Sequence, residues 1–148
     1  MLTATVDNQR TLINPSGTEE FYNSWQFSQG VQVGETIWLA GQLGIGPDGA
    51  PGADIEAQTR FAFQNMARVL EAAGASMADV VDLTTYHIAM DDLPTVAAVK
   101  AEFLPENFPV WTEVGVTQLA LPKMLMKIKV PAADPGSAAR DWSISDSL

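Results

Sequence analysis

From Phe108 to Val130 the chain reads FPVWTEVGVTQLALPKMLMKIKV, and no other stretch constrains the architecture as much. Val110 to Val116 is dense in branched and aromatic residues, the side chains that suit a pleated, half-buried surface. A short loop carrying Leu121-Pro122-Lys123 follows, and then a second strand from Met124 to Val130. The second strand alternates apolar and charged residues only in its second half, around Lys127, Ile128 and Lys129. Its first half is apolar at every position, which predicts cover on both faces there. Two such strands commit the chain to a sheet.

The upstream sequence supplies the rest. Residues 1 to 9 give no firm signal. Arg10 to Ile13 reads as a short strand and Asn14-Pro15-Ser16-Gly17 as a turn. Ser16 with Glu19 has the form of a capping box, predicting a short helix from Thr18 to about Ser24. Phe27 to Val33, Gly34-Glu35 and Thr36 to Ala40 form a hairpin pattern that runs into Ala40-Gly41-Gln42. Gly41 reads either as a bulge or as a place of close backbone approach, and the second also suits a ligand site. The loop from Gly44 to Gly52 lacks the Gly-Lys-Ser/Thr of a phosphate cradle, so it reads as a surface turn. Asp54 to Ala73 is the clearest helix. Ile55, Thr59, Ala62, Met66, Val69, Leu70 and Ala73 form one apolar stripe, with Asp54 to cap it and Gly74 to end it. Val80 to Ile88 is a strand. Asp91 to Leu104 is a second helix with Pro94 in its first turn, stopped by Pro105.

This order predicts an α+β single domain with one mixed β-sheet and two helices on one face. A sheet covered on one side only needs a partner on the other. A length of 148 residues suits one domain. The domain is expected over residues 1–132, with a C-terminal tail, 133–148, poorly ordered unless Trp142 docks on a neighbour. No cysteine is present, which excludes disulfides, a thiol nucleophile and a thiolate metal site. A net charge of −10 argues against a nucleic-acid partner, whose affinity comes mostly from Lys and Arg on phosphates. With no signal segment and no apolar run of membrane length, the expectation is a cytoplasmic protein with no membrane partner. His87 is the only histidine and reads as a structural strand residue. No cluster has metal-ligand spacing, so no metal and no cofactor are expected. No G-x-S-x-G is present for Ser/His/Asp catalysis.

Over about residues 10 to 132 the chain resembles the Rid family, also called YjgF and long described as L-PSP endoribonucleases. Phe27-Ser28-Gln29 with Val31 and Gly34, Ala40-Gly41-Gln42, and Ile55 to Arg60 (IEAQTR) carry the resemblance. So do Leu70 to Ala75 (LEAAGA), Asp79-Val80-Val81 with Thr84-Thr85, and the Pro109 strand with its Leu121-Pro122 turn. The resemblance implies a chorismate-mutase-like fold, a homotrimer, and ligand clefts between subunits. It also implies hydrolysis of reactive enamines and imines, such as 2-aminoacrylate, to a keto acid and ammonia. In that family an Arg pairs with the substrate carboxylate, and a Glu on the last strand helps position the water. A Tyr and a backbone amide near the Ser/Ala-Gly-Gln turn complete the cleft. Carried over singly, the Arg position is Trp111. The Glu position is Lys127, with the loop one residue shorter. The Tyr position is Phe27, and an Asn on the second helix becomes Ala97. Ala40-Gly41-Gln42 fits.

A Trp cannot clamp a carboxylate and a Phe cannot donate a hydrogen bond. The expected ligand-binding set is therefore Phe27, Ala40, Gly41, Gln42, Trp111 and Lys127, around a small molecule. Glu113 follows Trp111 by two residues and shares its strand face, which makes it the candidate catalytic acid or base. A Glu113–Lys127 pair fixing the interface is the structural alternative, and Trp111 reads either as a stacking wall or as interface packing. The expectation is a diverged Rid-type hydrolase of an imine, enamine or related planar molecule that is not an efficient 2-aminoacrylate deaminase. The alternative is a binding or structural trimer without turnover. Endoribonuclease activity comes third, with the acidity against it.

Overall fold

The chain opens as an antiparallel meander. The computed structural model describes residues 6–7 and 9–136. Strand β1 (Val6–Asp7) pairs with β2 (Arg10–Ile13), β2 with β3 (Gly30–Val33), and β3 with β4 (Thr36–Leu39). Gly34 turns the β3–β4 hairpin at φ +57°, which a residue without Cβ adopts freely. Between β2 and β3 lies α1 (Glu19–Asn23), with Thr18 rather than Ser16 at its N-cap. Glu19 turns back to accept from Gly17 N at 2.9 Å. The backbone breaks at Ala40-Gly41 and resumes as β5 (Gln42–Leu43). Then follow α2 (Ile55–Ala72), β6 (Asp82–His87), α3 (Leu93–Phe103), β7 (Val110–Gly115), β8 (Met126–Lys129) and β9 (Pro131–Ala133).

The helices form for the predicted reasons and pack on the same side. Asp54 caps α2, its carboxylate accepting from Ala57 N at 2.8 Å. Gly74 follows the helix at φ +79°. Thr59, Ala62, Met66, Val69 and Leu70 are buried, as their spacing predicts. The helix buries a second face as well, because α3 packs beside it: Phe63 stacks on Phe103 with ring centroids 5.0 Å apart. Gln58 is also buried and fully engaged. Its amide donates to Gly52 O (3.1 Å) and Lys123 O (3.0 Å) and accepts from Leu125 N (2.8 Å), tying α2 to the approach to β8.

The strands depart from expectation in two respects. The described residues form two sheets where one was expected: an antiparallel one in the order β1-β2-β3-β4-β9, and a mixed one in the order β5-β8-β6-β7. The split follows from two breaks, at Ala40-Gly41 between β4 and β5, and at Val130 ahead of Pro131, which has no N–H for a ladder. The sheets are stitched across this seam, where Leu39 N donates to Val130 O at 3.2 Å. The second departure is that β7 and β8 are not neighbours. The chain crosses over through α3, so β7 joins β6 in parallel, and β6 lies between β7 and β8.

The core lies between the sheets and the α2–α3 layer, around Ile37, Leu39, Phe63, Met66, Leu70, Leu83, Val96, Met126 and Ile128. The other sheet face is covered by no described helix. It presents Trp38, half exposed at 50%, in register with Val31, Leu12 and Pro131, and further along Tyr86, Lys127 and Lys129. The boundary expected at 132 falls inside β9, and Asp134 N still donates to Glu35 O at 2.9 Å. The rest of the expected tail from residue 137, including Trp142, lies outside the described residues. No described helix is long and apolar enough to cross a membrane.

Candidate functional site

Strand register places the predicted residues in two groups. Leu83, Thr85 and His87 of β6 pair with Trp111, Glu113 and Gly115 of the edge strand β7. The β6 residues are fully buried under the helices, so Trp111 and Glu113 share the helix-side face, as their spacing predicts. The indole Nε1 donates to Thr85 Oγ1 at 2.9 Å, and that oxygen lies 2.6 Å from His87 Nε2. Above the indole, Lys100 of α3 places its Nζ 4.8 Å from the Trp111 ring centroid and 5.8 Å from that of Phe108. Lys100 has no ion-pair partner among the described residues, while Glu113 is exposed. Burial pushes the His87 imidazole below its usual value. The charges of Asp92 and Glu113 oppose the shift without cancelling it.

The second group gathers at the β4–β5 break. Gln42 is buried and donates from Nε2 to Gln29 Oε1 and Ala40 O, both at 3.0 Å. Ala40 N donates to Gln29 O at 2.8 Å, which holds the turn in place. A Cβ at Gly41 would stand inside the Lys127 side chain. Gly41 is thus a place of close approach, and what approaches is the Lys127 stem.

The two groups do not meet within one chain. Lys127 pairs in register with Tyr86, on the face opposite Thr85, and β6 separates its strand from β7. A cross-strand Glu113–Lys127 pair is therefore not formed in the subunit. Phe27 belongs to neither group. It packs on Phe21, ring centroids 5.7 Å apart, in an exposed aromatic set with Tyr22 and Trp25 beside α1. Ala97 is half-buried on α3 and offers only a methyl group. Lys100, Thr85 and His87 were not singled out from sequence as parts of the site. Lys100 did carry a signal, since it falls on the helical stripe of Val96, Val99 and Phe103, where a cation is out of place. Among the described residues, no group of His, Asp and Glu could hold a metal ion.

Residues 18–134 match the family model described as Endoribonuclease L-PSP. The chain belongs to the Rid (YjgF) family. It is 35% identical to the RutC family protein YjgH of Escherichia coli over 114 residues, 76% of this chain and 87% of that one. A 2-iminobutanoate/2-iminopropanoate deaminase of Dermatophagoides farinae is 38% identical over 95 residues, 63% of this chain and 74% of the relative. A solved structure of YjgH superposes with a TM-score of 0.78 at 34% identity, covering 87% of this chain and 99% of that one. Rv2704 of Mycobacterium tuberculosis, also described as a YjgF-family member, gives 0.74 at 34% identity, covering 84% and 98%. This Rid-family chain thus keeps the small two-sheet α+β domain of its relatives.

Proposed function

We propose that this Rid-family protein is a C–N hydrolase of the deaminase type, acting on an imine, enamine or related planar small molecule. Its clefts lie between the subunits of a homotrimer. The carrying observation is the division of the site into two halves. Trp111, Glu113 and Lys100 stand at the β7 edge on the helix side, and Gly41, Gln42 and Lys127 stand at the β4–β5 break. In this reading a cleft formed by one chain's first half and a neighbour's second half unites them. The uncovered sheet face with Trp38, Val31 and Leu12 is the surface for the assembly, since apolar area of that kind gains free energy by leaving water.

In this cleft Trp111 is the wall, Lys100 supplies the cation nearest to it, and Glu113 is the acid or base. The named deaminase relatives support the reaction class. A net charge of −10 weighs against RNA as substrate. The test has two parts. Light scattering at micromolar concentration is expected to give a trimer mass, and a monomer mass overturns the assembly. Trp111→Ala is expected to remain trimeric and to lose turnover of small imines in a ketoacid-release assay. An unchanged rate in that variant overturns the site.

A further inference from the structure

His87 is fully buried and has no part in the reaction proposed above. Its Nε2 lies 2.6 Å from the hydroxyl of Thr85, which is equally buried, and that hydroxyl lies 2.9 Å from the indole Nε1 of Trp111. Counting hydrogens fixes the direction of this chain. An indole N–H can only donate, so Thr85 Oγ1 accepts from Trp111. The hydroxyl has one hydrogen of its own, and among the described residues its only other partner is His87 Nε2. Giving the hydrogen to Nε2 satisfies the indole, the hydroxyl and Nε2, and puts the imidazole proton on Nδ1, which has no partner among the described residues. Burial favours the same neutral ring.

We propose that His87 is a positioning residue for Trp111, acting through the Thr85 hydroxyl, and that it sets the cleft for a flat, unsaturated ligand stacked on the indole face. This rests on the reading of Trp111 as the cleft wall. The indole has one donor, and Thr85 takes it edge-on. Turning the ring to offer that donor to a ligand leaves the buried Thr85 oxygen without the hydrogen it accepts. Recognition is left to the part of the π face that a half-buried ring exposes, since the indole packs on the core and lies under Lys100. Protonation of His87 makes Nε2 a second donor toward the same oxygen, and the Thr85 hydrogen loses its acceptor. The groups around the ring are Asp92, just before α3, and Glu113 of β7, both of whose charges favour that protonation. Strand β8 offers Met126 opposite, and β7 offers Gly115. The Trp111 indole therefore senses the protonation state of His87.

The experiment follows the indole N–H resonances of the 15N-labelled full-length chain, with Trp111 assigned by its loss in Trp111→Phe. At neutral pH the Trp111 N–H is expected to exchange with solvent on the order of tenfold faster in Thr85→Val, which keeps the shape and removes the hydroxyl. Thr85→Ser is expected to match the unaltered protein. His87→Gln, whose amide oxygen can accept, is expected to stay protected where His87→Leu is not. On lowering the pH, the Trp111 resonance is expected to move with the His87 ring signals, and to be flat in His87→Gln. Thr85→Val exchanging like the unaltered protein overturns the proposal. So does a His87→Gln that behaves like His87→Leu. No ligand or turnover enters the measurement, so its outcome is separate from whether the cleft is catalytic.

Discussion

Lys100 Nζ stands 4.8 Å from the centre of the Trp111 ring, a helix cation resting on an edge-strand indole. With 18 acidic residues in the chain, Lys100 still has no carboxylate partner among the described residues, so its electrostatic partner there is the π face. Lys100→Met keeps the length of the stem and removes the charge. The expected loss of stability is roughly 0.5–1 kcal/mol, the usual worth of a partly solvated cation–π contact. Lys100→Arg is expected to retain most of it. Urea denaturation of the three proteins measures both, and equal midpoints would leave the contact without energetic content.

The Lys100 contact shows which features were legible in the sequence. Helix α2 was readable end to end, because Asp54, the apolar spacing and Gly74 are all local signals. The shared face of Trp111 and Glu113 was readable for the same reason, since strand alternation needs no tertiary information. The neighbours of β7 were not. Chain order puts β7 beside β8, and only the α3 crossover, a tertiary choice, inserts β6 between them. The alternative of a Glu113–Lys127 pair across neighbouring strands fails within the subunit on that insertion, because adjacency in sequence stood in for adjacency in the sheet. Strand β9 was hidden by its composition: Pro131-Ala132-Ala133 has little strand propensity and is held by pairing with β4. Thr85 and His87 looked like ordinary strand residues, and their link to Trp111 exists only once β6 and β7 lie side by side.

Gly41 and Lys127 form a testable pair. A Cβ at Gly41 meets the Lys127 stem, and that stem is flexible enough to be displaced. Gly41→Ala is expected to destabilise the fold by no more than about 1 kcal/mol, the low end of overpacking costs, because the far end of the Lys127 stem can swing aside. Lys127→Ala removes the obstacle, so the double variant is expected to be close to Lys127→Ala alone. A double-mutant cycle by thermal or urea unfolding reads the coupling directly. Additive losses would mean that Gly41 is needed for some other reason.

His87 gives a pH dependence of known sign. In the unfolded chain it binds a proton near pH 6.5, while burial holds the folded ring below that value. As the pH falls from about 6.5 toward the folded value, the unfolded state gains a proton that the folded state refuses, so stability is lost. Above about pH 7 both states are neutral there, and the contribution is fully present. The slope for one proton is at most about 1.4 kcal/mol per pH unit. His87 is the only histidine, and carboxylates titrate lower, so urea midpoints between pH 7 and 5.5 isolate it. His87→Gln is expected to flatten the curve; an identical slope in the variant assigns the effect elsewhere.

The sharpest expectation concerns 2-aminoacrylate, which this protein is expected to hydrolyse far more slowly than a family member carrying the Arg. A small imino acid offers one strong handle, its carboxylate. A bidentate Arg holds it by charge-assisted hydrogen bonds worth about 1.5–3 kcal/mol each. The resemblance puts Trp111 in that position, and its single donor is engaged by Thr85. Two lysines remain as substitutes. Lys127 lies on the opposite sheet face of the same chain, so in the proposed trimer it would come to the cleft from a neighbouring subunit. Lys100 is on the correct face, already above the indole. Either is a point charge on a flexible stem, and it orients a substrate less well than a planar fork. The rate is therefore expected to fall by at least two orders of magnitude, which corresponds to the loss of about 3 kcal/mol of transition-state binding. Semicarbazide competition in a coupled dehydratase reaction measures it, with an Arg-bearing family member as the control. Hydrolysis equal to the control would sink this expectation. Its loss in Lys100→Ala or in Lys127→Ala would then name the carboxylate clamp.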